Sequence, residues 1–189
     1  MRSAYFALLS LTLVFLVGCQ SVATLKNNVI DNYQVLKNQK PDEVATVSCS
    51  ASLACHFFSV DGVRLLDQQG RATSQALEKG LLRLDKPVFS LGQQYGLSLN
   101  SGQHEVEVRF YPVSLERAER FHLIHYFKAG SQYRLVMFRQ KEASGGKLIN
   151  VAAPGALCVD LLRDDVLTRR FCRGFDALTG LGEFVEKKI

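Results

Sequence analysis

The sequence predicts a mainly β protein: an antiparallel β-sandwich, with a barrel as the alternative, behind a short N-terminal tether of helical character. Three observations predict it. Over residues 104–111, Val106, Val108 and Phe110 alternate with Glu105, Glu107 and Arg109, the period of two that gives a strand one apolar and one charged face. From Val44 onward, seven or more short strand-like segments recur between turn residues, at the spacing typical of sandwiches and barrels. Asp61-Gly62, a strong two-residue turn signal, joins residues 54–60 to 63–66 as a hairpin. The 189 residues are 47% apolar and 22% charged, which suits one domain with its own core and excludes a disordered, collagen-like or coiled-coil chain.

The first 18 residues read as a signal peptide. Arg2 supplies a positive start, and residues 4–17 form an apolar stretch interrupted only by Ser10 and Thr12. A bilayer-spanning helix needs about 20 apolar residues, so this stretch has the length of a secretory core and not of a membrane span. Leu16-Val17-Gly18-Cys19 follows and resembles the lipobox of bacterial lipoproteins. The resemblance implies that the Cys19 thiol takes a diacylglyceryl group, that cleavage falls after the small Gly18, and that the freed amine is acylated. Several acyl chains together make release from a membrane negligible, at about 0.8 kcal/mol per buried methylene. Gln20 stands where an aspartate would resemble an inner-membrane retention signal, so the expected location is the outer membrane, with the domain facing the periplasm.

Residues 19–43 are expected to be the lipid-anchored tether. Val22, Leu25, Val29, Tyr33 and Leu36 recur at helical spacing, Asn27, Asn28 and Asn32 oppose a helix, and Pro41 stops one. Residues 44–189 are expected to form the single sandwich domain. After the Asp61-Gly62 hairpin, residues 73–79 before Gly80 suit one or two helical turns. Residues 81–84, 88–91 and 95–99 are short strands, followed by 104–111, 121–127 and 133–139. The chain closes with apolar segments at 148–151, 157–162 and 166–171.

Val60-Asp61-Gly62 together with Leu97-Ser98-Leu99-Asn100-Ser101-Gly102-Gln103-His104-Glu105-Val106-Glu107-Val108 resembles the signature of PEGA-type β-sandwich domains and of small lipoproteins that share it. Residues 127–135 are similar to the strand pair that often follows it. The resemblance implies an envelope binding or accessory module, and it argues against an enzyme. In physical terms, Gly102 would permit a tight turn and His104 would start the next strand.

Of five cysteines, lipid on Cys19 leaves Cys49, Cys55, Cys158 and Cys172, an even set suited to an oxidising compartment. Three connectivities are open, and local pairing is expected: Cys49 with Cys55, and Cys158 with Cys172. A zinc site would need closer spacing than either pair has. Placing Cys158 opposite Cys172 pairs Val159 with Phe171, Asp160 with Arg170 and Leu162 with Thr168. That register leaves Asp164, Asp165 and Val166 as a three-residue loop and sets Val159, Leu161, Leu167 and Phe171 on the core face.

His122-x-x-His125 would suit a metal on a helix, but in a strand the two rings point to opposite faces. His104 is expected to bond locally near its turn. His56 adjoins Cys55, whose thiolate a disulfide would remove. No nucleophile elbow, phosphate loop, H-E-x-x-H or paired-carboxylate motif occurs, so the expectation is a protein without catalysis, cofactor or metal. The formal charge of +5 is modest, and no basic run interleaved with aromatics suggests nucleic acid. The expected partners are the membrane, through Cys19, and an envelope protein or an anionic glycan; the alternative to an accessory module is a ligand-binding lipoprotein that takes an anionic glycan, lipid or small molecule through a sandwich cleft or a basic cluster. Arg163, Arg169, Arg170 and Arg173 are the densest basic cluster and the candidate anion site, although Asp160, Asp164 and Asp165 lie close enough to neutralise them.

Overall fold

The computed structural model describes residues 42–49, 55–84, 95–112, 116–140, 155–174 and 182–189. The strands are β1 (Ala45–Cys49), β2 (Cys55–Val60), β3 (Val63–Arg64), β4 (Leu82–Leu84), β5 (Tyr95–Leu99) and β6 (Gly102–Phe110). They continue with β7 (Glu119–Phe127), β8 (Gln132–Arg139), β9 (Leu157–Arg163), β10 (Val166–Arg173) and β11 (Val185–Lys187). One short helix, α1 (Ser74–Glu78), lies between β3 and β4. A seven-stranded sheet runs β11-β10-β9-β8-β1-β5-β4, and a four-stranded sheet runs β3-β2-β6-β7. Neither closes on itself, so the fold is a sandwich and not a barrel. The leader, nearly all of the tether, and the expected strands at 88–91 and 148–151 lie outside the described residues.

β1 sits in the middle of the larger sheet, antiparallel to β5 and parallel to β8. That parallel pair departs from an all-antiparallel expectation. With neighbours on both edges and cover on both faces, Ala45, Thr46, Val47 and Cys49 are all buried. Alternation therefore vanishes from this segment, as it does in strands covered on both faces.

The smaller sheet follows its pattern closely. β6 buries Val106, Val108 and Phe110 while Glu105, Glu107 and Arg109 face outward, and β7 buries Phe121, Leu123 and Phe127 against the same layer. Asp61 and Gly62 turn β2 into β3 with φ of +48° and +75°, the doubly positive φ of a type I′ hairpin, which glycine adopts without strain. Asp61 also locks the turn to the start of β6. Its carboxylate accepts from the Glu105 amide at 2.9 Å and meets the His104 Nδ1 at 2.6 Å, while His104 Nε2 reaches the Asn100 carbonyl at 3.0 Å. Burial works against the charge, but the bonds from His104 and the Glu105 amide hold the Asp61 carboxyl below its usual pKa. α1 starts where the sequence suggests, with the Thr73 hydroxyl accepting from the Ala76 amide at 3.2 Å.

The β9–β10 hairpin corrects one expectation. Cys172 opposes Cys158, Phe171 opposes Val159 and Arg170 opposes Asp160, as the disulfide register requires. The turn, however, has two residues. Asp164 and Asp165 carry φ of +51° and +65°, Val166 pairs with Arg163, and Leu167 pairs with Leu162. A bulge between Leu167 and Arg169 absorbs the one-residue difference, so Leu167 leaves the core face and joins Leu162 on the other side. The bulged Thr168 hydroxyl donates to the Leu161 carbonyl at 2.8 Å, and Asp164 docks on β8 through two bonds with the Gln132 backbone, both 2.8 Å. These contacts make the tight turn with a bulge a better solution than an open three-residue loop.

Between the sheets lies an aromatic core. Phe121 of β7 meets Phe171 of β10 at 5.2 Å, and Phe127 of β7 meets Tyr133 of β8 at 4.9 Å, both edge to face. Leu97, Leu99, Leu135 and Leu161 of the larger sheet complete the layer.

Candidate functional site

Cys19 lies outside the described residues. The other four cysteines form the two expected disulfides. Cys49–Cys55 ties β1 to β2 and so links the two sheets, whereas Cys158–Cys172 joins neighbouring strands of one sheet. Cys55 therefore offers His56 no thiolate.

The four arginines crowded in sequence separate in space. Arg170 faces outward and grips Asp160 with two bonds of 2.6 and 2.7 Å. Arg169 sits on the opposite face of β10, holds Glu186 of β11 with two bonds of 2.7 Å, and donates to the Ile124 carbonyl of β7 at 2.8 Å. The hydrogen bond from Arg169 draws the Glu186 carboxyl below its usual pKa, against the cost of burial, and the same bond raises Arg169. Arg173 bonds Glu119 of β7 at 2.6 Å. Arg163 stands exposed at the end of β9. Three of the four are thus occupied by carboxylates, and they do not converge on a common point.

The histidines are placed as a strand dictates. His122 lies on the outer face of β7, 3.7 Å from Glu105, while His125 turns inward against Phe127 and Tyr133. Burial, together with the nearby charges of Arg169 and Arg163, lowers the His125 pKa, and Glu186 opposes this weakly. Desolvation likewise lowers His56, whose ring stands edge-on to Tyr111 at 5.3 Å. Among the described residues, no group of three or more His, Cys, Asp or Glu side chains gathers as a metal site would, and no helix is long and apolar enough to cross a membrane.

What the sequence did not single out is the outer face of the smaller sheet. There Arg109 of β6 stands directly between His56 of β2 and Arg120 of β7. A cleft of about 260 Å³ opens beside this row, lined by Cys55, His56, Phe57, Leu66, Gly70 and Tyr95. Among the described residues, β3 pairs with Ser59 and Val60, and no strand pairs with Cys55, His56 or Phe57 on that side. Strand alternation identified Arg109 as solvent-facing, but no signal within the chain announces that β7 brings Arg120 against it. No family model, no curated protein and no solved structure matches the chain.

Proposed function

We propose that the protein is a non-catalytic lipoprotein, anchored in the outer membrane through acyl chains on Cys19, whose β-sandwich serves as an envelope accessory or interaction module. The observation that carries this reading is Leu16-Val17-Gly18-Cys19 placed directly after a charged start and an apolar stretch too short to span a bilayer. Two disulfides in one small domain support export to an oxidising space. The PEGA-like residues Val60-Asp61-Gly62 and Gly102-Gln103-His104 support an accessory role, and Asp61 and His104 of that signature bond to each other. A second reading, recognition of an anionic glycan, is favoured by the cross-strand pairing of Arg109 with Arg120, the latter without an ion pair among the described residues.

Expression of the wild type and of Cys19→Ala tests the anchor. Mature wild-type protein is expected in the membrane fraction with a mass raised by the acyl groups, and Cys19→Ala is expected as soluble or unprocessed material. Wild-type protein from membranes with the mass of an unmodified polypeptide would sink the reading.

A further inference from the structure

Arg109 and Arg120 are direct cross-strand partners on the outer face of the four-stranded sheet, opposite the side on which Val108, Phe110 and Phe121 are buried. Like charges in that position repel. The next row of the same strands obeys the usual rule, with Glu107 opposite His122. The exception is therefore local, and breaches of local consistency concentrate at functional sites.

Arg109 is also held ready. Phe58 follows the buried Phe57 and faces this side, as does Ser59 after the bulge between Phe57 and Ser59, and the Arg109 guanidinium lies 3.5 Å from the centre of the Phe58 ring, with that of Arg64 at 5.2 Å. Stacking of this kind fixes the plane of the fork in advance and leaves less freedom to lose on binding. Arg109 Nε is buried and makes no hydrogen bond; Glu107 stands 3.7 Å from it and accepts instead from the Ser59 hydroxyl at 3.3 Å. Arg120 is exposed and has no hydrogen bond or ion pair among the described residues.

We propose that the row His56–Arg109–Arg120 binds an anionic glycan, whose carboxylate or phosphate bridges the two guanidinium groups while an adjoining sugar ring enters the cleft beside His56. Two planar forks presented from neighbouring strands on one face of the sheet match an anion with two or more oxygens. At about 260 Å³ the cleft falls below the roughly 300–1,000 Å³ of sites for whole drug-sized ligands, so it suits one residue of a polymer. The row also lies far from where the tether joins. Gly130 bonds the Val44 carbonyl beside the start of β1, Gly102 opposes Phe127 at that same end, and Arg109 is roughly 20 Å further along β6. The row thus lies at the end of the sheet opposite the start of β1. The choice of glycan over lipid rests on the lipoprotein reading; the arginine site does not.

The test uses the full mature chain in micelles of a neutral detergent, with polygalacturonate, neutral dextran and phosphatidylglycerol vesicles as probes. Polygalacturonate should bind, more weakly as salt rises, and dextran should not. The double variant Arg109→Gln/Arg120→Gln should weaken binding by about tenfold or more. Lys187→Gln/Lys188→Gln, which removes the same charge elsewhere, should change it little. Arg120→Gln alone should keep or raise Tm, since it relieves a repulsion. The proposal is overturned by equal losses in the two double variants, by a fall in Tm for Arg120→Gln, or by arginine-dependent binding to the vesicles without binding to polygalacturonate. Repeating the titration with Cys19→Ala separates the two readings, because arginine-dependent binding by that protein keeps the site whatever becomes of the anchor.

Discussion

Two groups of arginines in this protein differ in a way that the order of residues hides. Arg163, Arg169, Arg170 and Arg173 crowd one hairpin, yet three of them are spent on Asp160, Glu119 and Glu186 and face opposite sides of β10. Arg109 and Arg120 belong to separate strands with a loop between them, yet they stand side by side with no carboxylate in hydrogen-bond contact. Charge density along a chain is thus a poor guide to charge density on a surface. Cross-strand register decides which cations meet anions and which meet each other.

The sharpest way to break the contrast is to free the crowded hairpin from its covalent pin. Cys158→Ala/Cys172→Ala is expected to cost about 3 kcal/mol, the value for a closed loop near this size, in denaturant unfolding of the oxidised protein. A loss well below 1 kcal/mol would mean that the carboxylate pairs and the Thr168 bulge hold the register by themselves.

Next in size is Arg170→Ala. Asp160 is largely buried, so removing its two-bonded partner leaves a desolvated carboxylate, and a loss of about 2 kcal/mol is expected. The opposite sign expected for Arg120→Gln is the core of the comparison. Equal destabilisation by both would erase the distinction between a structural pair and a held-open one.

The smallest effect concerns pH. The folded-state pKa of His125 lies below its ordinary 6.5, chiefly through burial and then through Arg169 and Arg163. The unfolded chain therefore binds the proton first, and stability present above pH 6.5 falls as pH drops toward the folded value. His125→Gln should flatten the dependence of unfolding free energy on pH between neutrality and mild acid. An unchanged slope would assign the acid sensitivity to His56, which is shifted in the same direction.

Much of the smaller sheet was legible, because its outer face is wet and its turn chemistry is strong. Val106, Val108 and Phe110 marked β6, and Asp61-Gly62 marked the hairpin. β1 was not, since Ala45, Thr46 and Val47 are covered on both sides and show no period. β11 is only three residues long, with Val185, Glu186 and Lys187 all exposed, too short to show alternation. The Asp164-Asp165 turn was misjudged by one residue, because two aspartates at positive φ are a weaker turn signal than Asp-Gly, and the bulge that restores the cysteine register leaves no mark in the sequence. The disulfide partners were legible from proximity along the chain. The Arg109–Arg120 pairing was not, because it depends on how β6 and β7 align.

β1 also has a mechanical consequence. A pull on Asp42 along the strand axis loads the hydrogen bonds to β5 and β8 together, in shear, and cannot open them one after another as it would at an edge. At the far end of the same strand, Cys49–Cys55 passes the load covalently to β2 in the other sheet, and β2 is the strand paired with Arg109. Tension between the N-terminus and a ligand held at the opposite end would thus run through a central strand and a covalent link.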